Sequence, residues 1–368
     1  MGQRTQNGHG VLLKLMKSLL LLLLVLLGST RSFAQQVATK VTVARWPQDR
    51  TATISLTFDD AMATQLDIAG PILKKHQLHR TFFVSTGLGV WGEREQEWKQ
   101  LAKDGNELGD HTVHHPCLLP EIEPHSQDYT PEMMKAEIQG AAQQITQLVA
   151  SQRGLTFAYP CGNMSFGPPK DQARNAGLYL SYVSDVAFGA RGAGVGGAQD
   201  PDELGVLTVP DLGPTAGKDL GGLLALVEPA IQGHNWGVYC FHGMGGEYLS
   251  VSASAFDELT AYLQRHREIW TAPFGDVLRY IQERKSAVIE VHEKGQSIDI
   301  ALIWPLDSHI YDLPLTLRVE LAGAVNEARA TADGLYLQTK LIKQNDSTVV
   351  LVDVPPDTKL VRLASTLR

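Results

Sequence analysis

The chain has 368 residues, 43% of them hydrophobic and 20% charged, an ordinary globular composition whose length suits one large domain and a small one. Its 40 acidic against 32 basic side chains argue against nucleic acid and anionic membrane surfaces as partners, and leave a neutral ligand open.

In chain order, the first segment reads as an export signal. Lys14 and Lys17 precede an apolar run from Leu19 to Leu27, and Ser32-Phe33-Ala34 makes a small-x-small cleavage site. Nine apolar residues cover about 14 Å of helix at ~1.5 Å per residue, about half of a ~30 Å hydrocarbon core. The expectation is therefore a signal peptide over residues 1–34 rather than a stable membrane anchor, with Met16 as an alternative start. No cysteine stands near the cleavage site to carry a lipid. Cleavage removes Arg4, Lys14, Lys17 and Arg31, leaving 28 basic against 40 acidic side chains.

From about residue 40 to 285, strand-like runs alternate with helix-like ones. Ile54, Leu56 and Phe58 alternate in a strand ending at Asp59-Asp60. Thr81–Ser85, Thr156–Tyr159, Leu178–Ser184, Gly205–Val209 and Gly237–Phe241 read as further strands, and Pro131–Ser151, Gly217–Ile231, Ala253–Arg267 and Asp276–Arg284 as helices. This alternation predicts an α/β architecture with a parallel sheet or barrel, whose chemistry sits at the C-terminal ends of the strands. Gly189–Gly197 reads as a glycine-rich surface loop with no phosphate-binding pattern. After Lys285 the grammar changes to alternating runs such as Ile298-Ile300-Leu302 and Val350-Val352-Val354, predicting a small antiparallel β-sandwich over 286–368. Its few aromatics, Trp304, Tyr311 and Tyr336, are sparse for a glycan-stacking platform.

Four segments carry polar residues at these strand ends. Asp59 and Asp60 close the first strand, where a turn can aim both carboxylates at one site, one to ligate a metal and the other to act as a base. His111-Thr112-Val113-His114-His115 places histidines four apart, which lie on one face of a helical turn and can grip one cation. His114 competes for that role at a spacing of three. Two imidazoles and a carboxylate leave coordination positions open for water and substrate, the arrangement hydrolytic metal sites need. Tyr159-Pro160-Cys161-Gly162 offers a turn that can point a backbone N–H at a substrate, and Val238–Phe241 ends in His242. Cys117, Cys161 and Cys240 each lie within two residues of one of these motifs; too few for a disulfide framework, they read as small buried hydrophobes.

Together Thr57-Phe58-Asp59-Asp60, His111–Pro116, Ala158–Gly162 and the late Phe241-His242 resemble the polysaccharide deacetylases, the NodB-homology group of carbohydrate esterase family four, over about residues 50–285. The resemblance implies an irregular (β/α) barrel of about seven strands and removal of acetyl groups from acetylated glycans. It implies Asp59 as general base, Asp60, His111 and His115 as ligands of a divalent metal, His114 as a non-ligand, His242 as general acid and the Cys161 N–H as oxyanion donor. Zinc is the expected ion, with cobalt, nickel or manganese accepted by the same ligands. Two positions depart from the family pattern: the arginine that braces the catalytic aspartate is Ala158 here, and an aromatic beside the motif's glycine is Cys161. Asp185, following Ser184, matches the family's acid that tunes the late histidine. Two rival readings are a non-sugar amidase on the same barrel and a non-catalytic glycan-binding protein.

Overall fold

The computed structural model describes residues 38–294 and 297–367; the predicted signal peptide lies outside them. Seven parallel strands build a nearly closed barrel: β2 (Ala52–Phe58), β3 (Thr81–Val84), β4 (Glu107–Asp110), β5 (Thr156–Ala158), β6 (Gly189–Val195), β7 (Val209–Asp211) and β8 (Trp236–Phe241). They run in the order β7-β6-β5-β4-β3-β2-β8. The ends of the row meet where Leu212 N–H, just past β7, donates to Val238 O of β8 at 2.9 Å. The short β9 (Ile269–Thr271) adds a parallel pairing to the first half of β2. The strand β1 (Ala38–Val43) precedes the barrel in sequence but pairs antiparallel with the C-terminal region.

Because side chains alternate along a strand, each barrel strand has two fates. Ile54, Leu56, Phe58, Phe82 and Val84 face outward and join helical residues such as Leu73, Trp98, Ile145, Val227 and Phe256 in one buried cluster. The opposite parity fills the barrel with Phe83, Ala158, Val209, Trp236 and Val238, sealed at the base by Phe274, Val277 and Leu278. Glu107 also sits at the base, where the Thr81 and Thr156 hydroxyls (both 2.6 Å) and Gly275 N–H (2.9 Å) donate to it. The interior parity continues past the strand ends, so Asp59 on β2, His111 after β4, Arg191 on β6, Asp211 on β7 and Cys240 and His242 on β8 all emerge at the C-terminal mouth.

The helices begin where capping chemistry allows. Thr130 accepts from Met133 N–H before α4 (Pro131–Leu148), Asp219 from Gly222 N–H before α6 (Leu220–Gln232), and Ser252 from Ala255 N–H before α7 (Ala253–Arg265). The others are α1 (Gly70–Lys75), α2 (Gly89–Glu93), α3 (Glu95–Lys103), α5 (Gln172–Ser184) and α8 (Phe274–Ser286). Among the described residues, no helix is long and apolar enough to cross a membrane.

Two expectations are corrected. Leu178–Ser184 is part of α5, not a strand: Asn175, Tyr179 and Val183, four residues apart, form its buried face. Most of the glycine-rich run 189–197 is strand β6 (Gly189–Val195) rather than a loop. A Cβ on Gly189 would stand 2.2 Å from Leu278 Cδ1, and one on Gly192 2.2 Å from Tyr159 Cδ2, so packing neighbours occupy the space that side chains would need.

The C-terminal region is a sandwich of two antiparallel sheets. One has the order β1-β12-β16-β15 and the other β10-β11-β17-β13-β14. Their strands are β10 (Val288–Lys294), β11 (Ser297–Ile303), β12 (Leu315–Ala322), β13 (Val325–Ala332), β14 (Leu335–Leu337), β15 (Thr339–Lys343), β16 (Ser347–Val354) and β17 (Leu360–Leu367). Inward residues of both sheets, including Ile300, Leu317, Val350, Val352 and Leu363, form its core. Two of its three aromatics face the barrel side: Trp304 packs on the Phe274–Tyr280 cluster and the Tyr311 hydroxyl bonds Gln282 Oε1 at 3.0 Å. Tyr336 is exposed on β14.

Candidate active site

The mouth of the barrel brings Asp60, His111 and His115 together. Asp60 Oδ1 lies 3.5 Å from His111 Nε2 and 3.4 Å from His115 Nε2. Ligands about 2.1 Å from a tetrahedral ion are about 3.4 Å apart, so these separations are those of a metal-ligand set. Asp60 Oδ1 is buried and has no hydrogen-bond partner, which fits an atom waiting for a cation. His111 Nδ1 lies 2.7 Å from the Ala158 carbonyl, which can only accept; the ring therefore carries a proton there and turns Nε2 toward Asp60. Burial lowers this imidazole, but the Asp59 and Asp60 carboxylates outweigh it and raise it. Burial, then the neighbouring His111, lowers His115 to about 4, so that ring is neutral at ordinary pH. Burial pushes the Asp60 carboxyl upward, but His111, His115 and His242 overrule it and hold it well below the usual carboxylate range.

The loop after β4, and not a helical turn, makes this convergence. Thr112 and His115 both take left-handed backbone (φ 67° and 58°). Asp110 Oδ1 accepts from Thr112 N–H at 2.7 Å, and the Thr112 hydroxyl accepts from His115 N–H at 3.0 Å, so two side chains close the turn. His114 is drawn the other way: Glu137 takes its N–H at 2.7 Å and its Nδ1 at 2.8 Å. Asp60 also has a positive φ, 78°, which turns the chain after β2 so that adjacent carboxylates enter one site.

Asp59 is 4% exposed and charged. Burial alone would raise its carboxyl; the Arg191 guanidinium, with His111 and His242, holds it below the ordinary range. Arg191 Nη2 donates to Asp59 Oδ2, and Nη1 reaches Asp211 Oδ2 at 3.3 Å. The guanidinium is stacked 5.4 Å above the Phe83 ring. The brace absent at Ala158 is thus supplied from β6, the next strand. Sequence reasoning missed Arg191 because its strand was read as a loop. The available signal was an arginine among small residues, twenty positions before an aspartate ending another β-run. Gln65, also buried, donates through Nε2 to the carbonyls of both Asp59 and His242, tying the ends of β2 and β8 together.

His242 lies at the end of β8, half-buried, with the exposed Tyr248 ring perpendicular to it at 6.0 Å. Asp185, the expected tuning acid, is elsewhere: it caps the C-terminus of α5 and is exposed, because its segment is helical. Cys161 follows β5 with φ 54°, and its sulfur is bonded to Cys117. This corrects the reading of the cysteines as separate apolar fillers: the disulfide joins the segment after His115 to the turn after β5. Cys240 remains free, its buried thiol pushed up by desolvation and its Sγ 3.4 Å from Asp59 Oδ2.

Residues 47–180 match the family model for polysaccharide deacetylases. Among curated proteins, the chain is 25% identical over 345 residues to a gellan lyase from a Bacillus species, covering 86% of this chain and 13% of that protein. It is 47% identical over 49 residues to the uncharacterized protein YlxY of Bacillus subtilis, covering 13% of this chain and 14% of that one. The chain thus spans under one sixth of the length of either relative. Of solved structures, a putative polysaccharide deacetylase from Mycobacterium smegmatis aligns over 68% of this chain and 96% of its own at 12% identity and a TM-score of 0.46. The family 4 carbohydrate esterase PdaA of Bacillus subtilis aligns over 62% and 80% at 18% identity and 0.41.

Proposed function

We propose, from the match of residues 47–180 to the polysaccharide deacetylase family model, that the chain is an exported, metal-dependent hydrolase that removes acetyl groups from an N-acetylglucosamine-type or otherwise acetylated glycan. The observation that carries this reading is the convergence of Asp60, His111 and His115 on one point, with the braced carboxylate of Asp59 and the His242 ring close together beside it.

The donor set fits a divalent ion of the zinc type: two imidazoles and one unpartnered carboxylate oxygen. When bound, such an ion supplies Lewis-acid polarisation of the acetyl carbonyl and acidification of a water. The chain's residues do the rest. Asp59, kept ionised by Arg191 and with Oδ1 free of other partners, takes the proton of the attacking water. The Cys161 N–H, held by the Cys117 bond beside the histidine loop, serves the developing oxyanion. His242 hands a proton to the departing amine or alkoxide. The exposed Tyr248 ring beside it suits the apolar face of a sugar. Export is supported by the Lys14–Ala34 signal pattern and by the disulfide, a bond that persists in oxidising compartments; the periplasm and the cell exterior both qualify.

The test is acetate release from a panel of acetylated glycans by the mature chain from Gln35 onward. Release that stops with chelator, returns with zinc and is missing in Asp60→Ala supports the proposal. Metal binding without acetate release from any glycan favours a non-sugar amide as substrate. Absence of metal binding overturns the ligand assignment.

A further inference from the structure

One group in the pocket has no part in this mechanism: the Cys240 thiol. With Cys117 and Cys161 joined, it is the one free thiol of three cysteines. Strand parity places it on the inner face of β8, two residues before His242, and its Sγ is 3.4 Å from Asp59. The Cys240 sulfur, a ring nitrogen of His242 and a carboxylate oxygen of Asp59 all lie within 4.8 Å of one another. Asp59 is 4% exposed, and its Oδ1 has no hydrogen-bond partner while Oδ2 is engaged by Arg191. Cys240 Sγ approaches Oδ2, the oxygen that Arg191 also engages, so a thiol and an imidazole stand beside a buried carboxylate whose other oxygen is unpartnered.

We propose that Asp59, Cys240 and His242 form a second cation site, selective for a thiophilic divalent ion such as cadmium or excess zinc, whose occupancy inhibits the enzyme. Sulfur and imidazole donors select borderline and soft ions over magnesium or calcium, and three protein ligands leave a fourth position for water. Binding replaces the S–H bond by a metal–sulfur bond, and the proton leaves to solvent. Arg191 engages Asp59 Oδ2, the oxygen that the thiol also contacts, and its positive charge makes this site weaker than the one at Asp60, His111 and His115, which has no arginine against it. The inhibitory consequence rests on the roles proposed above, since an ion here ties up both the base and the acid; the binding does not. Zinc should therefore raise activity with the first equivalent and lower it with the second.

The experiment titrates the disulfide-intact, metal-free chain with cadmium alone. It counts ions by equilibrium dialysis and follows the ultraviolet thiolate-to-cadmium charge-transfer absorption, which only Cys240 can give. Wild type should bind two ions with the absorption, Cys240→Ser one without it, and Asp60→Ala one with it. Cys240→Ala, read alongside, separates loss of a ligand from misfolding, because it too should keep the first ion. In activity assays, the zinc concentration that inhibits Cys240→Ser should rise by about tenfold or more. A single ion in wild type with no thiolate absorption overturns the second site and leaves the proposed function standing. A thiolate absorption with no second ion, unchanged by Asp60→Ala, supports the site at Cys240 and instead overturns the first.

Discussion

Arg191→Met tests most directly how the buried base is kept ionised. The substitution keeps the unbranched stem and deletes the charge that meets Asp59 and Asp211, in a pair whose members are each only 4% exposed. An opposite charge at contact distance depresses a carboxyl by ~1–3 units. Without it, desolvation, the largest influence on Asp59, acts with less opposition and moves the carboxyl upward by about that amount. The acid limb of kcat/KM should shift to higher pH by ~1–3 units, so that activity one unit below the new value falls to roughly a tenth of its plateau. Stability follows with a definite sign. The folded value of Asp59 is depressed, so wild type holds this contribution above the unfolded value near ~3.9 and loses it as pH falls through the folded one. The variant should be less stable at neutral pH by about 3–5 kcal/mol, the cost of an unpaired buried charge, and the two curves should converge in acid. The assay is acetate release across roughly pH 4 to 9, with urea unfolding alongside. An acid limb that stays in place while stability drops would refute the reasoning, because Asp59 would then not be the group whose ionisation limits catalysis.

His242→Ala should cost about 10²–10⁴ in rate on an acetamide and less on an activated acetyl ester, whose leaving group needs no proton; equal losses would remove His242 from the acid role. Cys117→Ser opens a disulfide that closes 44 residues and should lower stability by about 4 kcal/mol on chain-entropy grounds, measured by denaturation with and without reductant. No change would mean that the two sulfurs are not joined in solution. Tyr248→Ala should raise KM for an oligosaccharide by about two- to tenfold, from ~0.5–1.5 kcal/mol of ring stacking, and leave a small acetyl ester unaffected; equal effects on both would place the ring outside a sugar subsite. Burial raises Glu283 to about 8, where it accepts from Leu313 N–H at 3.2 Å beneath the sandwich. A raised carboxyl means that wild type loses stability as pH climbs from its ordinary value toward about 8. Glu283→Gln keeps the acceptor and should abolish that slope in melting temperatures between about pH 5 and 9; parallel curves would contradict it.

Local pattern in the sequence was enough for the alternation that makes a barrel, the strand ending at Asp59-Asp60, the histidine cluster and the change to two-residue periodicity after Lys285. These depend on which residues stand one, two or four positions apart, and short-range spacing is written in the chain. The brace on Asp59 was not legible in the same way. Arg191 is 132 positions from Asp59, and only the lateral order of the strands sets β6 where its guanidinium can reach across the mouth. The glycines around it read as a loop because a glycine needed for close packing against Leu278 or Tyr159 looks, in sequence, like one needed for a turn. Asp185 failed for the converse reason: a segment with apolar residues at strand-like and helix-like spacings took the helical option once Tyr179 and Val183 found a buried face. The Cys117–Cys161 bond and the nearness of Cys240 to Asp59 likewise depend on loop ends that meet only when the barrel closes. Residue type and spacing determined which chemistry the chain could attempt; tertiary packing decided which charges stand beside the base, because electrostatic contact depends on distance through space and not along the chain.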